Sequence, residues 1–366
     1  LAGLVLFQAL AYYFRLPLSL GPRVILQPWL LNQGFLPYEN VADVHGPLMP
    51  MLLSVLMLIC PDGLALAKIV LVVLISLSTV MTFLAGRRTM GWLAGLGAAS
   101  FFVVWSPVFQ FGKLWHETLL APLYLLLLLF YDSYAAPHAR RTLFFLGLAG
   151  GIAMLVKQHA AIVFVAFVTW HAVMNWRALR SFSVVLQDTV VISLAGISPL
   201  IVFSVYHVLR AGTLANLLYW TISVNLINGY ASAAAKPPTV AQLRALASAC
   251  LLLPAAILGL TVPTRKDDRT RLHLGWGLLL LAASALTVYP RFEFFHLQPA
   301  LPVVAWLSSV TLASAFRRRN CHAAWQSRRY LLTAVAVGLS VFWITTSGSA
   351  YQSVFREDQP QRVWEY

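Results

Sequence analysis

Residues 142–173 read TLFFLGLAGGIAMLVKQHAAIVFVAFVTWHAV, an apolar stretch interrupted once, at Lys157-Gln158-His159. As a single helix it would extend about 48 Å at ~1.5 Å per residue, well beyond the ~30 Å of hydrocarbon that a transmembrane helix has to cross. As two helices broken at the polar triplet, it crosses twice and returns the chain to the side it left. The two readings put everything downstream on opposite faces, so this stretch decides the topology.

Charge chooses between them. The chain is 60% hydrophobic and 10% charged over 366 residues, with a mean hydropathy of +0.76. No water-soluble domain carries that composition without exposing its core, so the reading is an all-α integral membrane protein. The net charge of +14 is not that of a nucleic-acid binder, because the basic residues fall in short runs between apolar segments. Arg87-Arg88, Arg140-Arg141, Arg177 and Arg180, Arg265-Lys266 with Arg269 and Arg271, Arg317-Arg318-Arg319, and Arg328-Arg329 all reach the cytoplasmic side if residues 142–173 form two spans. That arrangement obeys the positive-inside rule and makes membrane phospholipid a partner.

Apolar runs recur at Ala2–Phe14, Pro47–Cys60, Leu64–Ala85, Trp92–Val108, Thr118–Tyr131, Leu143–Val156, Ala160–Val173, Val184–Val208, Leu246–Val262, Leu274–Val288, Leu297–Phe316 and Tyr330–Ile344. Pro47–Cys60 has to begin and end on the outer face, as an interfacial or re-entrant helix in the first outer loop, Arg15–Gly46 and beyond. The expectation is about eleven transmembrane helices plus this one, over residues 1–346, with residues 347–366 a short tail on the outer face. The start at Leu1 suggests a chain truncated at both ends. Cys60, Cys250 and Cys321 are widely spaced and propose neither a disulfide framework nor a metal knuckle. Apart from Lys68 and Lys157 the spans read as nearly free of charge.

The polar chemistry gathers in the outer loops. Tyr38-Glu39-Asn-Val-Ala-Asp43-Val-His45-Gly46-Pro47 places two carboxylates and an imidazole together before a helix-starting proline. Either carboxylate can accept a proton from an incoming hydroxyl, or can be a solvated loop charge or helix cap. Lys113-Leu-Trp115-His116-Glu117 precedes a leucine run, and a first-turn Glu also satisfies the helix dipole. Lys157, with Gln158 and His159, reads as part of a polar pocket, since a lone cation among apolar half-runs is costly. Tyr289-Pro-Arg291-Phe-Glu293-Phe-Phe-His296 packs charge into a short loop, and the guanidinium fork of Arg291 suits a phosphate oxyanion. Trp29, Trp115 and Trp220 read as interface anchors. No metal-ligand spacing such as H-E-x-x-H is present, and no metal is expected.

The pattern resembles the multi-spanning glycosyltransferases that use polyprenyl-phosphate-linked sugars, the group of the protein O-mannosyltransferases and lipid A aminoarabinose transferases. The resemblance covers nearly the whole chain. It rests on Asn32-Gln-Gly34-Phe-Leu-Pro37-Tyr38, His45-Gly46-Pro47-Leu48, Gly86-Arg87-Arg88, Glu117, and Arg291 followed by Pro299 and Pro302. The acidic residue these relatives carry just after the first span is absent from Leu18-Ser-Leu-Gly21-Pro22-Arg23, and the lysine before their Pro-Pro-Leu is His45 here.

The resemblance implies transfer of a hexose or pentose from a polyprenyl-phosphate donor to a hydroxyl of a lipid, glycan or protein, by an inverting single displacement. It implies no soluble cofactor, and a bacterial plasma membrane with the active site on its extracytoplasmic face. Asp43, Glu39 or Glu117 would take the proton. Arg291, Lys157 and His45 would bind the donor phosphate, with His116, Glu293, His296 and Tyr38 auxiliary. A transporter or flippase for lipid-linked sugars is the competing class. It would want charged or broken spans near the midplane and matched halves, and the sequence shows no matched halves.

Overall fold

The computed structural model describes residues 1–16, 18, 23–110, 113–130, 139–179, 181–224, 237–250, 268–288 and 292–317. Among these the chain is nearly all helical: α1 (Ala2–Leu10, continued by a π turn Ala11–Arg15), α2 (Arg23–Asn32), α3 (Leu48–Met57), α4 (Gly63–Met90), α5 (Trp92–Gln110) and α6 (His116–Phe130). After these come α7 (Ala139–Val156), α8 (Ala160–Leu179), α9 (Phe182–Ala211), α10 (Ala215–Leu218), α11 (Val240–Cys250), α12 (Asp268–Leu286) and α13 (Leu301–Arg317), with a 3₁₀ turn at Phe294–Leu297.

Four of the described helices, Gly63–Met90, Trp92–Phe109, Ala160–Arg177 and Phe182–Ala211, are long and apolar enough to cross a membrane. The run Tyr330–Ile344, the tail 347–366, Arg291 and most of the run Leu246–Val262 lie outside the described residues.

Residues 142–173 do form two helices. Lys157 N–H still donates to Ala153 at 3.0 Å, and the next turn is restarted by Ala160 N–H on the Lys157 carbonyl at 2.9 Å. Helices α7 and α9 then pack closely because glycines face each other. A Cβ on Gly151 would stand 2.2 Å from the Gly196 carbonyl oxygen, so only a bare backbone allows this approach, as is usual where apolar helices associate in lipid. Helix α4 begins cleanly at Asp62, whose carboxylate accepts from Leu64 N–H and Ala65 N–H at 2.9 and 3.1 Å, a standard N-cap. It ends at Gly91, whose φ of +91° favours glycine.

Two expectations need correction. The segment Arg15–Gly46 is not merely a loop: it carries α2, which pairs with α3 through Asn32 Nδ2 donating to the Ser54 carbonyl at 3.1 Å and Ser54 Oγ donating to Asn32 Oδ1 at 2.8 Å. The spans are also less free of charge than they read. Asp188 is buried in the first turns of α9, and it is held there by Asn175 Nδ2 at 3.3 Å, with His171 Nε2 at 3.7 Å and Arg140 Nε at 3.9 Å. Burying a carboxylate among apolar helices requires such partners, and they come from the two preceding helices, α7 and α8, a proximity that hydropathy alone does not reveal.

Helix α3 has ten residues, roughly 15 Å of helix, too short to cross. It packs with α2, and the loop 38–47 between the two meets the start of α6 through His45 on His116 and the end of α7 through Gly46 on Leu155.

Candidate functional site

The start of α6 and the end of α7 meet. Glu117, in the first turn of α6, is 1% exposed, and Lys157, just past α7, is 5% exposed. Lys157 Nζ donates to Glu117 Oε1 at 2.5 Å. His296, from the 3₁₀ turn, brings Nδ1 into hydrogen-bond contact with the same Glu117 oxygen and to 3.2 Å from Lys157 Nζ. One ring nitrogen cannot serve both at once: it donates to the carboxylate or accepts from the ammonium. Glu117 Oε2 has no hydrogen-bond partner among the described residues. Burial holds the pKa of His296 below the usual histidine value, with Glu117 opposing and Lys157 reinforcing the shift.

A second group adjoins this one. Asp43 Oδ1 accepts from His45 N–H at 3.0 Å and lies 2.8 Å from His45 Nδ1, with Arg23 Nη1 3.5 Å away. Burial alone would raise the Asp43 pKa. The hydrogen bond and charge of His45, with His116 and Arg23 beyond, outweigh it and hold the carboxyl well below its usual range. The rings of His45 and His116 stack at 4.5 Å with 12° between planes. Trp115 meets both imidazoles edge-on and also Phe295, so it forms one wall of the site. Lys113 lies over Phe295, 4.0 Å from its ring centroid.

The loop is fastened from several sides. Tyr38, at φ +69°, donates its hydroxyl to the His45 carbonyl at 2.7 Å, and burial, then the charge of Asp43, raise its pKa well above the usual value. Gln158 Nε2 donates to the Val44 carbonyl at 3.0 Å. Gly46 lies so close to α7 that a Cβ there would stand 1.9 Å from the Leu155 carbonyl oxygen.

Of the residues singled out from sequence, Asp43, His45, His116, Glu117, Lys157 and His296 come together, with Tyr38 as a supporting post and Glu293 acting electrostatically on His296. Glu39 points elsewhere. Its Oε2 accepts from Asn216 Nδ2 at 2.6 Å and its Oε1 lies 3.2 Å from His207 Nε2, tying the loop to the end of α9. Arg291 lies outside the described residues. Asn216, His207 and Gln298, whose Oε1 accepts from Thr118 at 3.1 Å, were not anticipated: each sits in an apolar or unremarkable context and gains its role only from a neighbour far along the chain.

The site is at one end of the helices. At the other end of α6, Arg88 Nη1 donates to the Leu129 carbonyl at 2.7 Å, and in the first turn of α7 Arg140 Nη2 donates to Gln187 Oε1 at 2.5 Å.

Comparison with known proteins adds to this geometry. Residues 44–203 match the family described as dolichyl-phosphate-mannose-protein mannosyltransferase. A comparison with curated proteins gives no match. Among solved structures, ArnT from Cupriavidus metallidurans bound to undecaprenyl phosphate is similar with a TM-score of 0.62 at 14% identity, over 98% of this chain and 66% of that one. The oligosaccharyltransferase AglB from Archaeoglobus fulgidus, in complex with an inhibitory peptide and a dolichol-phosphate, is similar with a TM-score of 0.55 at 13% identity, over 95% of this chain and 55% of that one. The same organism's oligosaccharyltransferase tethered to an acceptor peptide with the NVT sequon gives 0.54 at 13%, over 100% and 59%. The chain thus spans a little under two thirds, or less, of these relatives. The fold is theirs, and the family match and fold support the resemblance to the polyprenyl-phosphate-sugar glycosyltransferases that the sequence carries.

Proposed function

We propose that this chain acts as a membrane-embedded glycosyltransferase that moves a sugar from a polyprenyl-phosphate carrier to a hydroxyl acceptor on the extracytoplasmic face. The observation that carries the reading is Glu117, a carboxylate buried at the gathering point of the loops, with one oxygen held by Lys157 and His296 and the other without a partner among the described residues. Helix ends rich in arginine belong in the cytoplasm, so the opposite ends, with this cluster, face out. On the same rule the whole chain has about eleven spans, with α3 interfacial.

In the reaction, the acceptor hydroxyl gives its proton to Glu117 Oε2 as its oxygen attacks the sugar carbon, and the carbon–phosphate-oxygen bond breaks with inversion. Lys157 has three N–H donors, of which Glu117 takes one. A remaining donor, together with Arg291, meets the charge that develops on the departing lipid phosphate, and this electrostatic help is strengthened by the dry surroundings. His296 orients Glu117. Nothing in this step requires a nucleotide, in keeping with the resemblance to enzymes that take activated sugar from lipid.

The test is release of free lipid phosphate from a panel of polyprenyl-phosphate sugars incubated with the purified protein and a hydroxyl acceptor. Release from at least one donor, abolished in Glu117→Gln and Arg291→Ala proteins that remain folded, is the expected result. Movement of the donor between leaflets without release would replace transfer by transport.

A further inference from the structure

The mechanism above leaves Asp43 and the two stacked imidazoles unused. Each of Asp43, His45 and His116 offers a ligand atom, and these atoms all lie within 4.8 Å of one another. His116 is 4% exposed and Asp43 8%. Both ring nitrogens of His116, and Oδ2 of Asp43, are buried without a hydrogen-bond partner among the described residues. Orphaned buried polar atoms are rare in folded proteins because each forfeits its hydration. An imidazole with neither nitrogen engaged, facing a half-engaged carboxylate, is two such losses in one place.

We propose that Asp43, His45 and His116 form a divalent-cation site of the two-imidazole, one-carboxylate kind. Two nitrogens and one oxygen are the donor set of borderline metals, Zn²⁺ and its surrogate Co²⁺, and do not suit the all-oxygen shells of Mg²⁺ or Ca²⁺. Bond lengths of about 2.0–2.2 Å in a tetrahedral shell set ligand atoms about 3.4 Å apart, so the ligand atoms have to draw together by about 1.4 Å, and the two imidazoles, stacked with 12° between planes, have to turn out of parallel to aim their ring nitrogens at one ion. Three protein ligands leave a fourth position for water or an anionic oxygen.

The surroundings fit a built site. Tyr38 bonded to the His45 carbonyl fixes the backbone of one ligand, and the first turn of α6 fixes the other imidazole. Arg23 Nη1, 3.5 Å from both Asp43 Oδ1 and His45 Nδ1, competes for the same carboxylate and sets a limit on affinity. The site goes beyond the transfer reading and does not rest on it, because binding is measured without turnover. No local spacing announces it, since His116 arrives from a different segment.

The experiment uses untagged full-length protein in detergent, treated with chelator and dialysed against Zn²⁺ or Co²⁺. Expected are one tightly held metal per chain by elemental analysis, and the visible absorption of tetrahedral Co²⁺. Asp43→Asn and His116→Gln each weaken Zn²⁺ binding by about tenfold or more, the scale on which even supporting residues of metal sites act, whereas Arg23→Gln strengthens it. Failure of the wild-type protein to retain stoichiometric metal overturns the proposal whatever the variants do. So does retention that Asp43→Asn and His116→Gln leave unchanged while their melting curves show them folded.

Discussion

Removing the ammonium of Lys157 while keeping its volume, as in Lys157→Met, is the sharpest test of the site's electrostatics. The pair with Glu117 stands at 2.5 Å with both side chains almost wholly buried. At an effective dielectric constant of about 20, two unit charges at that distance attract by about 7 kcal/mol, and withdrawing two ions from water costs several kcal/mol each. The pair's net contribution is therefore small, but the cost of breaking it is not. Loss of one partner leaves the other charge buried without compensation, typically at about 3–5 kcal/mol. His296 still reaches Glu117, which places Lys157→Met near the lower end of that range. Glu117→Gln, which strands the lysine, belongs near the upper end. In the double variant both charges are gone, and it melts above either single variant. Melting of purified protein in detergent reads this out, with single-variant losses on the order of 5 °C or more. Single variants that melt within about 1 °C of wild type, or a double variant that loses the sum of both, would refute the view of a mutually dependent buried pair.

Three further outcomes follow from particular contacts. Gly46→Ala brings a methyl group within 1.9 Å of the Leu155 carbonyl oxygen, so the loop has to lift by more than 1 Å; turnover falls by about 100-fold, the usual scale for a misplacement of about 1 Å, while Gly3→Ala, with nothing within 4 Å, behaves as wild type in the same assay. Glu39→Gln still bridges Asn216 and His207, so it lowers lipid-phosphate release far less than Glu117→Gln; equal losses would return Glu39 to the chemistry. His159, in the turn between α7 and α8, is pushed down to about 4 by burial, with Lys157 adding to the shift. Its neutral form is favoured in the folded state, so its contribution is complete above about 6.5 and fades as pH falls toward 4. Melting temperature measured over that window drops on acidification, and less steeply in His159→Gln.

How much of this was legible in the sequence depends on how far each residue's partner lies along the chain. The break at Lys157 could be read because a cation flanked by two apolar half-runs has only two physical outcomes, a pocket or a helix end, and here it is both. The gathering of His45, His116, Glu117, Lys157 and His296 was foreseen only as co-location on one face, since charge asymmetry fixes which loops share a side but not which atoms meet. The contact between Glu117 and His296 joins residues 179 positions apart, and no periodicity encodes it. Glu39 and Asp43 looked equivalent in the loop. The positive φ at Tyr38 and the hydroxyl bond to His45 turn the chain so that Asp43 faces α6 and Glu39 faces α9, and backbone direction of that kind is not written in residue type.

The missed features share one cause. Helix α2 reads as loop because its polar ends and Pro28 weaken the apolar pattern, yet its partner α3 supplies the surface it needs. Asp188 does not stand out in the sequence because one carboxylate hardly alters the hydropathy of a long run, yet burial makes that carboxylate depend on Asn175, His171 and Arg140. In both cases an element that looks unfavourable alone is completed by another, and the same holds for the stacked imidazoles of His45 and His116. Composition identifies a helical membrane protein because every backbone group in lipid has to be satisfied within its own helix. Side chains are under no such local obligation, so the residues with the most chemistry are those whose partners the sequence conceals best.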